Sequence, residues 1–271
     1  MQYSHPKRDG MNPADNRPQG LLSVVVLIAL LALLGILLCG ELSYGARSMQ
    51  GDRHVNSASD CGESNPRVVA ARLGNPLDEQ GFPRAGDWKK ARPVAFCSDW
   101  QGKHPDSQRE TEVRLLWSPQ FLCLRFRSRF REIHVFPEAN QRRDHLWDRD
   151  VAEVFLQPPG FEMKHYKEFE VSPNGSWIDL DISPRGMLNL MCELKARATV
   201  DDKSRVWVAE LAIPMKSLTE DFSSNRDWRV NFFRAEGADP NRFYSAWQST
   251  NTPKPNFHVP ERFGKLQFSP G

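Results

Sequence analysis

Between Leu146 and Ile182 apolar and polar positions alternate in three short runs. A strand sends successive side chains to opposite faces. In the first run Ala152, Val154 and Leu156 therefore oppose Val151, Glu153 and Phe155. In the second, Phe169 and Val171 oppose Tyr166, Glu168 and Glu170; in the third, Ile178, Leu180 and Ile182 oppose Trp177, Asp179 and Asp181. The pattern predicts neighbouring strands with one greasy face formed by the aliphatic and Phe169 positions, and a second face combining acids with aromatic rings. The plainest reading of that second face is a half-exposed sheet. Ser172-Pro173-Asn174-Gly175 supplies a tight turn between the last two strands.

Strand signals continue on both sides. Val94 to Phe96, Glu112 to Trp117 and Phe121 to Phe130 are strand-like, the last two joined by a Ser118-Pro119-Gln120 turn. Leu188 to Val200 reads as one more strand, followed by an Asp201-Asp202-Lys203 turn and a strand from Arg205 to Ile213 that Pro214 ends. Arg226 to Glu236 and Gly264 to Phe268 complete the set. Frequent turns and hardly any helical periodicity predict an all-β domain over 67–271, an antiparallel β-sandwich of jelly-roll or immunoglobulin-like kind.

The rest of the chain is organised differently. Leu21 to Cys39 is an unbroken uncharged run of 19 residues, about 28 Å at helical rise, which is the thickness of a bilayer's hydrocarbon core. It predicts one N-terminal transmembrane helix, a signal anchor. Lys7, Arg8 and Arg17 before it favour a cytoplasmic N-terminus. Residues 1–20 then form a disordered cytoplasmic tail, 40–66 a flexible linker, and the C-terminal domain lies outside the cytoplasm, in the periplasm or at the cell surface. Cleaved secretion is the second reading. Cys61, Cys97, Cys123 and Cys192 follow the anchor. An even number outside the cytoplasm permits two disulfides, with Cys97 to Cys123 favoured because both lie in strand-like segments; buried free thiols are the alternative. A net charge of +2 without a basic block gives no case for nucleic acid. The alternating arginines Arg125, Arg127, Arg129 and Arg131 read as a solvated strand face.

Five segments in order, LWDRDVAEVFLQ, YKEFEVSPNGSWIDLDI, VWVAELAIPM, WRVNFFRAEG and PNFHVPERFGKLQF, resemble the family 9-like carbohydrate-binding modules, close to the broader dopamine-hydroxylase-like (DOMON) sandwich group. The resemblance runs from about Pro66 to Phe268. It implies two tryptophans clamping a terminal sugar, helped by carboxylate, arginine and amide groups. On these positions the clamp would be Trp147 and Trp247, with Glu153 and Arg234 as hydroxyl partners and Asn231 and Gln248 beside them. Either tryptophan could instead plug the end of a sandwich. Trp117, Trp207 and Trp228, with apolar neighbours two positions away, read as core.

Stacked rings and polar side chains suit a sugar, whose axial C–H groups pack on aromatic faces while its hydroxyls need partners. The expected function is a membrane-anchored, extracytoplasmic module that binds a glycan without transforming it. The alternatives are a glycoside hydrolase using paired acids, an accessory part of polysaccharide degradation, and a structural or interaction domain that has lost its sugar. The acids at 168, 170, 179 and 181 have a further use, a structural Ca²⁺ of the kind the resembled family carries; no motif assigns its ligands.

Overall fold

The structure, a computed structural model, describes residues 65–270. The predicted tail, the membrane-spanning segment and nearly all of the linker lie outside the described residues, and no described helix is long and apolar enough to cross a membrane. The described chain is mostly strand. The first part contributes β1 (Arg67–Arg72), β2 (Val94–Phe96), β3 (Thr111–Trp117) and β4 (Phe121–Arg129). The alternating region contributes β5 (Val151–Gln157), β6 (Tyr166–Val171), β7 (Trp177–Ser183) and β8 (Gly186–Asn189). The remainder are β9 (Lys195–Asp201), β10 (Val206–Pro214), β11 (Trp228–Glu236), β12 (Phe243–Ala246) and β13 (Gly264–Phe268).

The strands hydrogen-bond in the order β8-β7-β6-β5-β11-β13-β1-β3-β4-β10-β9, with β12 added to β11 and β2 to β3. β1 is the joint. Its first four residues pair with β13 and its last two with β3, both in parallel. The expected all-antiparallel pairing therefore fails at this one strand. The ladder curls so that its halves face each other. Phe126 of β4 meets Phe232 of β11 edge-on at 6.4 Å, and Trp117 of β3 meets Phe268 of β13 at 5.7 Å. The segment expected as one strand from Leu188 to Val200 instead contains both ends of the ladder: β8 stops at Asn189 and β9 starts at Lys195. Six peptide steps reach at most about 22 Å, which limits how far apart the two edges can lie.

One large core fills the curl. Ala152, Val154 and Leu156 enter it from β5, Phe169 and Val171 from β6, and Trp117, Trp207 and Trp228 are buried there as expected. The third alternating strand is reversed relative to the sequence reading. Register pairs Ile178 with Glu170, Leu180 with Glu168, and Phe169 with Asp179, and cross-strand partners share a face. Ile178, Leu180 and Ile182 thus join the acid-bearing face, while Asp179 turns toward Phe169. Asp179 is buried and accepts from Arg142 Nε at 2.9 Å and from the Cys192 amide at 2.7 Å, closing the turn after β8. Gly175, at φ +83°, closes the turn before β7; a Cβ there would sit 2.2 Å from Asn140 Oδ1. Arg125, on the arginine-rich strand, approaches Glu210 at 3.7 Å.

The favoured Cys97–Cys123 disulfide is not formed. Cys97 is disulfide-bonded, whereas Cys123 and Cys192 are free thiols, so the partner of Cys97 lies outside the described residues. Cys123 points away from the main core into a smaller cluster with Trp88, Leu116 and Ala212. Burial pushes its thiol up to about 12.

Candidate functional site

The face of β5, β6 and β11 opposite the main core carries a cavity of about 610 Å³, within the range of small-molecule sites. Trp147 and Tyr244 are among its walls. Trp147 sits in a short 3-10 turn, Leu146–Asp148, pinned by fully buried Leu146 in a cluster with Val151, Ile178, Leu180 and Ala235. That anchor leaves the indole half-buried on the cavity wall. Arg242, from the loop between β11 and β12, fixes the turn: its Nη2 donates to the carbonyls of Trp147 (2.5 Å) and Arg149 (2.6 Å). The same guanidinium lies 5.3 Å from the Tyr244 ring centre. Asp148, Asp239, Lys254 and Asn256 add polar groups, and Met187 of β8 adds an exposed apolar one. His258 closes another side, its Nδ1 paired with Tyr166 Oη at 2.8 Å. Desolvation holds this imidazole below its ordinary pKa.

Beneath the walls lie three carboxylates. Glu153 pairs directly with Glu170 across β5 and β6, and Glu168 is two residues along the same face. One oxygen from each lies within 4.8 Å of the others. All three are buried, and Glu153 and Glu168 line the cavity. Burial, reinforced by the neighbouring charges, raises Glu153 and Glu170 well above the usual carboxylate range; Arg242 acts in the opposite sense on both. Burial lifts Glu168 to about 7. Like charges directly opposite each other destabilise a sheet. Such a trio does not serve fold stability on its own.

The structure brings together two of the six site residues expected from sequence, Trp147 and Glu153. Trp247 is 3% exposed and packs in the main core, 5.3 Å from the Phe232 ring. Alternation explains this: Tyr244 and Ala246 of β12 take the cavity side, so the next odd position turns inward. Arg234 pairs with Ala152 rather than Glu153, which puts it on the opposite sheet face from the acid it was expected to assist. There it is 1% exposed, pairs with Glu236 at 2.8 Å, and donates to the Arg109 carbonyl at 3.2 Å and to that of Arg129. Asn231 is buried as a backbone clamp, accepting from the Phe232 and Gln248 amides and donating to the Gln248 carbonyl. Gln248 lies beside it, and neither lines the cavity. A facing pair of tryptophans is thus not assembled. Sequence reasoning missed Arg242, Tyr244 and His258. Tyr244 stands three residues before Trp247, and of the two it is Tyr244 that lines the cavity.

The overall fold recurs in solved structures. A candidate carbohydrate-binding protein from Bacteroides uniformis superposes with a TM-score of 0.60 at 14% identity, over 75% of this chain and 99% of that one. A family 9 carbohydrate-binding module from Caldicellulosiruptor kristjanssonii, solved with cellotriose and with glucose, superposes with a TM-score of 0.52 at 12% identity in both cases, over 74–75% of this chain and 93–95% of that one. This chain has the family 9 module fold. No family model matches the sequence. An "Extracellular protein" of Arthroderma benhamiae is 25% identical over 176 residues, 59% of this chain and 78% of its own length.

Proposed function

We propose that the chain is a non-catalytic carbohydrate-binding protein whose site is the cavity walled by Trp147 and Tyr244. The observation that carries the reading is this cavity, in which two aromatic rings stand beside Arg242, Asp239, Asn256 and His258. Rings supply faces for the C–H groups of a pyranose and the polar groups replace the water lost by its hydroxyls. Solved neighbours that hold cellotriose and glucose support a carbohydrate as the class of ligand. Recognition rests on one tryptophan and one tyrosine in a β-sandwich, in place of the two-tryptophan clamp expected from sequence. The cavity binds a glycan end or a short oligosaccharide, and the chain presents it outside the cytoplasm from an N-terminal membrane anchor. The disulfide at Cys97 fits an oxidising compartment.

The test is calorimetry or a glycan array with the purified protein and its Trp147→Ala and Tyr244→Ala variants. Binding to a mono- or oligosaccharide, weakened at least about tenfold by either change, is the expected result; each lost stacking contact amounts to about 1.5 kcal/mol or more. Failure to bind any glycan, with the protein folded, would sink the reading. New reducing ends on incubation with xylan or cello-oligosaccharides would replace it with hydrolysis.

A further inference from the structure

We propose that Glu153, Glu168 and Glu170 form a binding site for a hard divalent cation, best matched by Ca²⁺, at the floor of the cavity. Three observations carry this. First, the donors are all oxygen, the ligand type of Ca²⁺, Mg²⁺ and Mn²⁺ rather than of Zn²⁺ or copper. Second, neither oxygen of Glu170 has a hydrogen-bond partner among the described residues, although the residue is 0% exposed and faces the other two acids. Glu168 Oε2 is orphaned in the same way. A buried carboxylate without donors is costly, and the usual remedies are a partner charge, a proton or a metal. Third, the spacing fits. Oxygens around one Ca²⁺ at about 2.3–2.6 Å lie no more than about 5.2 Å apart, while the limit around Mg²⁺ at about 2.1 Å is about 4.2 Å. All three separations fall within 4.8 Å, inside the span that Ca²⁺ allows.

Charge closes as well. Three ionised carboxylates carry three negative charges, and the guanidinium that interacts with Glu153 and Glu170 is Arg242. One divalent cation makes the group neutral, which a site this buried requires. Three protein ligands leave coordination positions vacant for an ion that takes six to eight oxygens. Glu153 and Glu168 line the cavity, so those positions are open to water or to ligand hydroxyls. The other titratable groups facing the trio are His258, whose Nδ1 is 3.9 Å from Glu168 Oε2, and Tyr166, held by that same histidine. The competing occupant is a proton, since Glu168 and Glu170 are close enough to share one. The cation site does not rest on the identity of whatever fills the cavity above it.

The experiment uses the purified, chelator-treated protein with CaCl₂, MgCl₂ or MnCl₂ alone, read by thermal denaturation and by Tb³⁺ luminescence. Saturating Ca²⁺ should raise Tm by several degrees, a roughly hundredfold shift in the folding equilibrium at a hundred times Kd. The affinity should rise from pH 6 to pH 8, because metal and proton compete. Glu170→Gln keeps the shape and should weaken Ca²⁺ at least tenfold while leaving the protein folded at pH 6; Glu153→Gln serves as the second variant. Tb³⁺ bound at the site should be displaced by Ca²⁺. The proposal is overturned if millimolar Ca²⁺, Mg²⁺ and Mn²⁺ all leave Tm unchanged at pH 8, or if the Ca²⁺ shift is the same in wild type and both variants. In the first case, stabilisation of the metal-free protein by Glu170→Gln at pH 8 would assign the trio to proton sharing.

Discussion

Trp247→Ala separates a buried structural indole from a ligand platform. The ring lies in the main core, 5.3 Å from Phe232, and its Cζ3 and Cη2 fill the space that a side chain at Gly264 would need: a Cβ there would come within 2.7 Å. Its amide donates to the Phe232 carbonyl at 2.9 Å. Truncation therefore removes a large apolar surface and leaves a void between β11, β12 and β13. A buried Trp→Ala change costs about 3–5 kcal/mol, and a domain of about 200 residues loses about 2–4 °C per kcal/mol. Tm should fall by about 6–20 °C, measured by circular dichroism with reversible refolding as a control. Trp147→Ala, on a half-buried ring, should lower Tm by only a few degrees. Glycan binding, measured well below both transitions, should survive Trp247→Ala and be lost with Trp147→Ala. A Trp247→Ala protein with wild-type Tm and no binding would refute the reasoning and restore the two-tryptophan clamp.

Other changes probe the remaining parts. Arg234→Leu leaves Glu236 buried beside Arg109 without its nearest charge, and should cost about 3–5 kcal/mol in urea denaturation; a cost under 1 kcal/mol would contradict the buried pair. Burial raises Asp150 to about 6, and its Oδ1 accepts from the Gly237 amide at 2.7 Å. The folded protein thus holds this proton more tightly than the unfolded chain, so the associated stability is present at acid pH and is lost as pH rises from about 4 through 6. Asp150→Asn keeps the acceptor and should flatten that dependence, a difference on the order of 3 kcal/mol between pH 4 and 7 in chemical denaturation. Reductant should lower Tm of wild type and of Cys123→Ser but leave Cys97→Ser unaffected, because only Cys97 is in a disulfide among the described cysteines.

Strand existence was legible because period-two alternation survives on both sides of the core; β5 and β6 were readable to the level of which residue faces which way. The core tryptophans at 117, 207 and 228 were readable for the same reason. β7 failed because apolar residues recur at even positions there, yet the face they take depends on register against β6, which pairs Ile178 with Glu170. The site was half legible. Trp147 and Glu153 are six residues apart and one local turn places both. Arg234 and Trp247 have the right residue types in strands or next to one, but a one-residue difference in parity sends each to the core side.

The sequence by itself determined the class of structure, the strand-rich region beginning near residue 67, and the presence of unusual acids on β5 and β6. Alternation and turn chemistry are local properties, and local patterns suffice for them. Only the tertiary structure decided that β1 bridges two halves of one ladder, that Arg242 holds the Trp147 turn while Tyr244 lines the same cavity, and that Glu153, Glu168 and Glu170 converge beneath them. Those meetings depend on strand order and register across distant parts of the chain. No residue type or short spacing encodes a cross-strand neighbour, so the acid-bearing face became a candidate site only once the ladder was assembled.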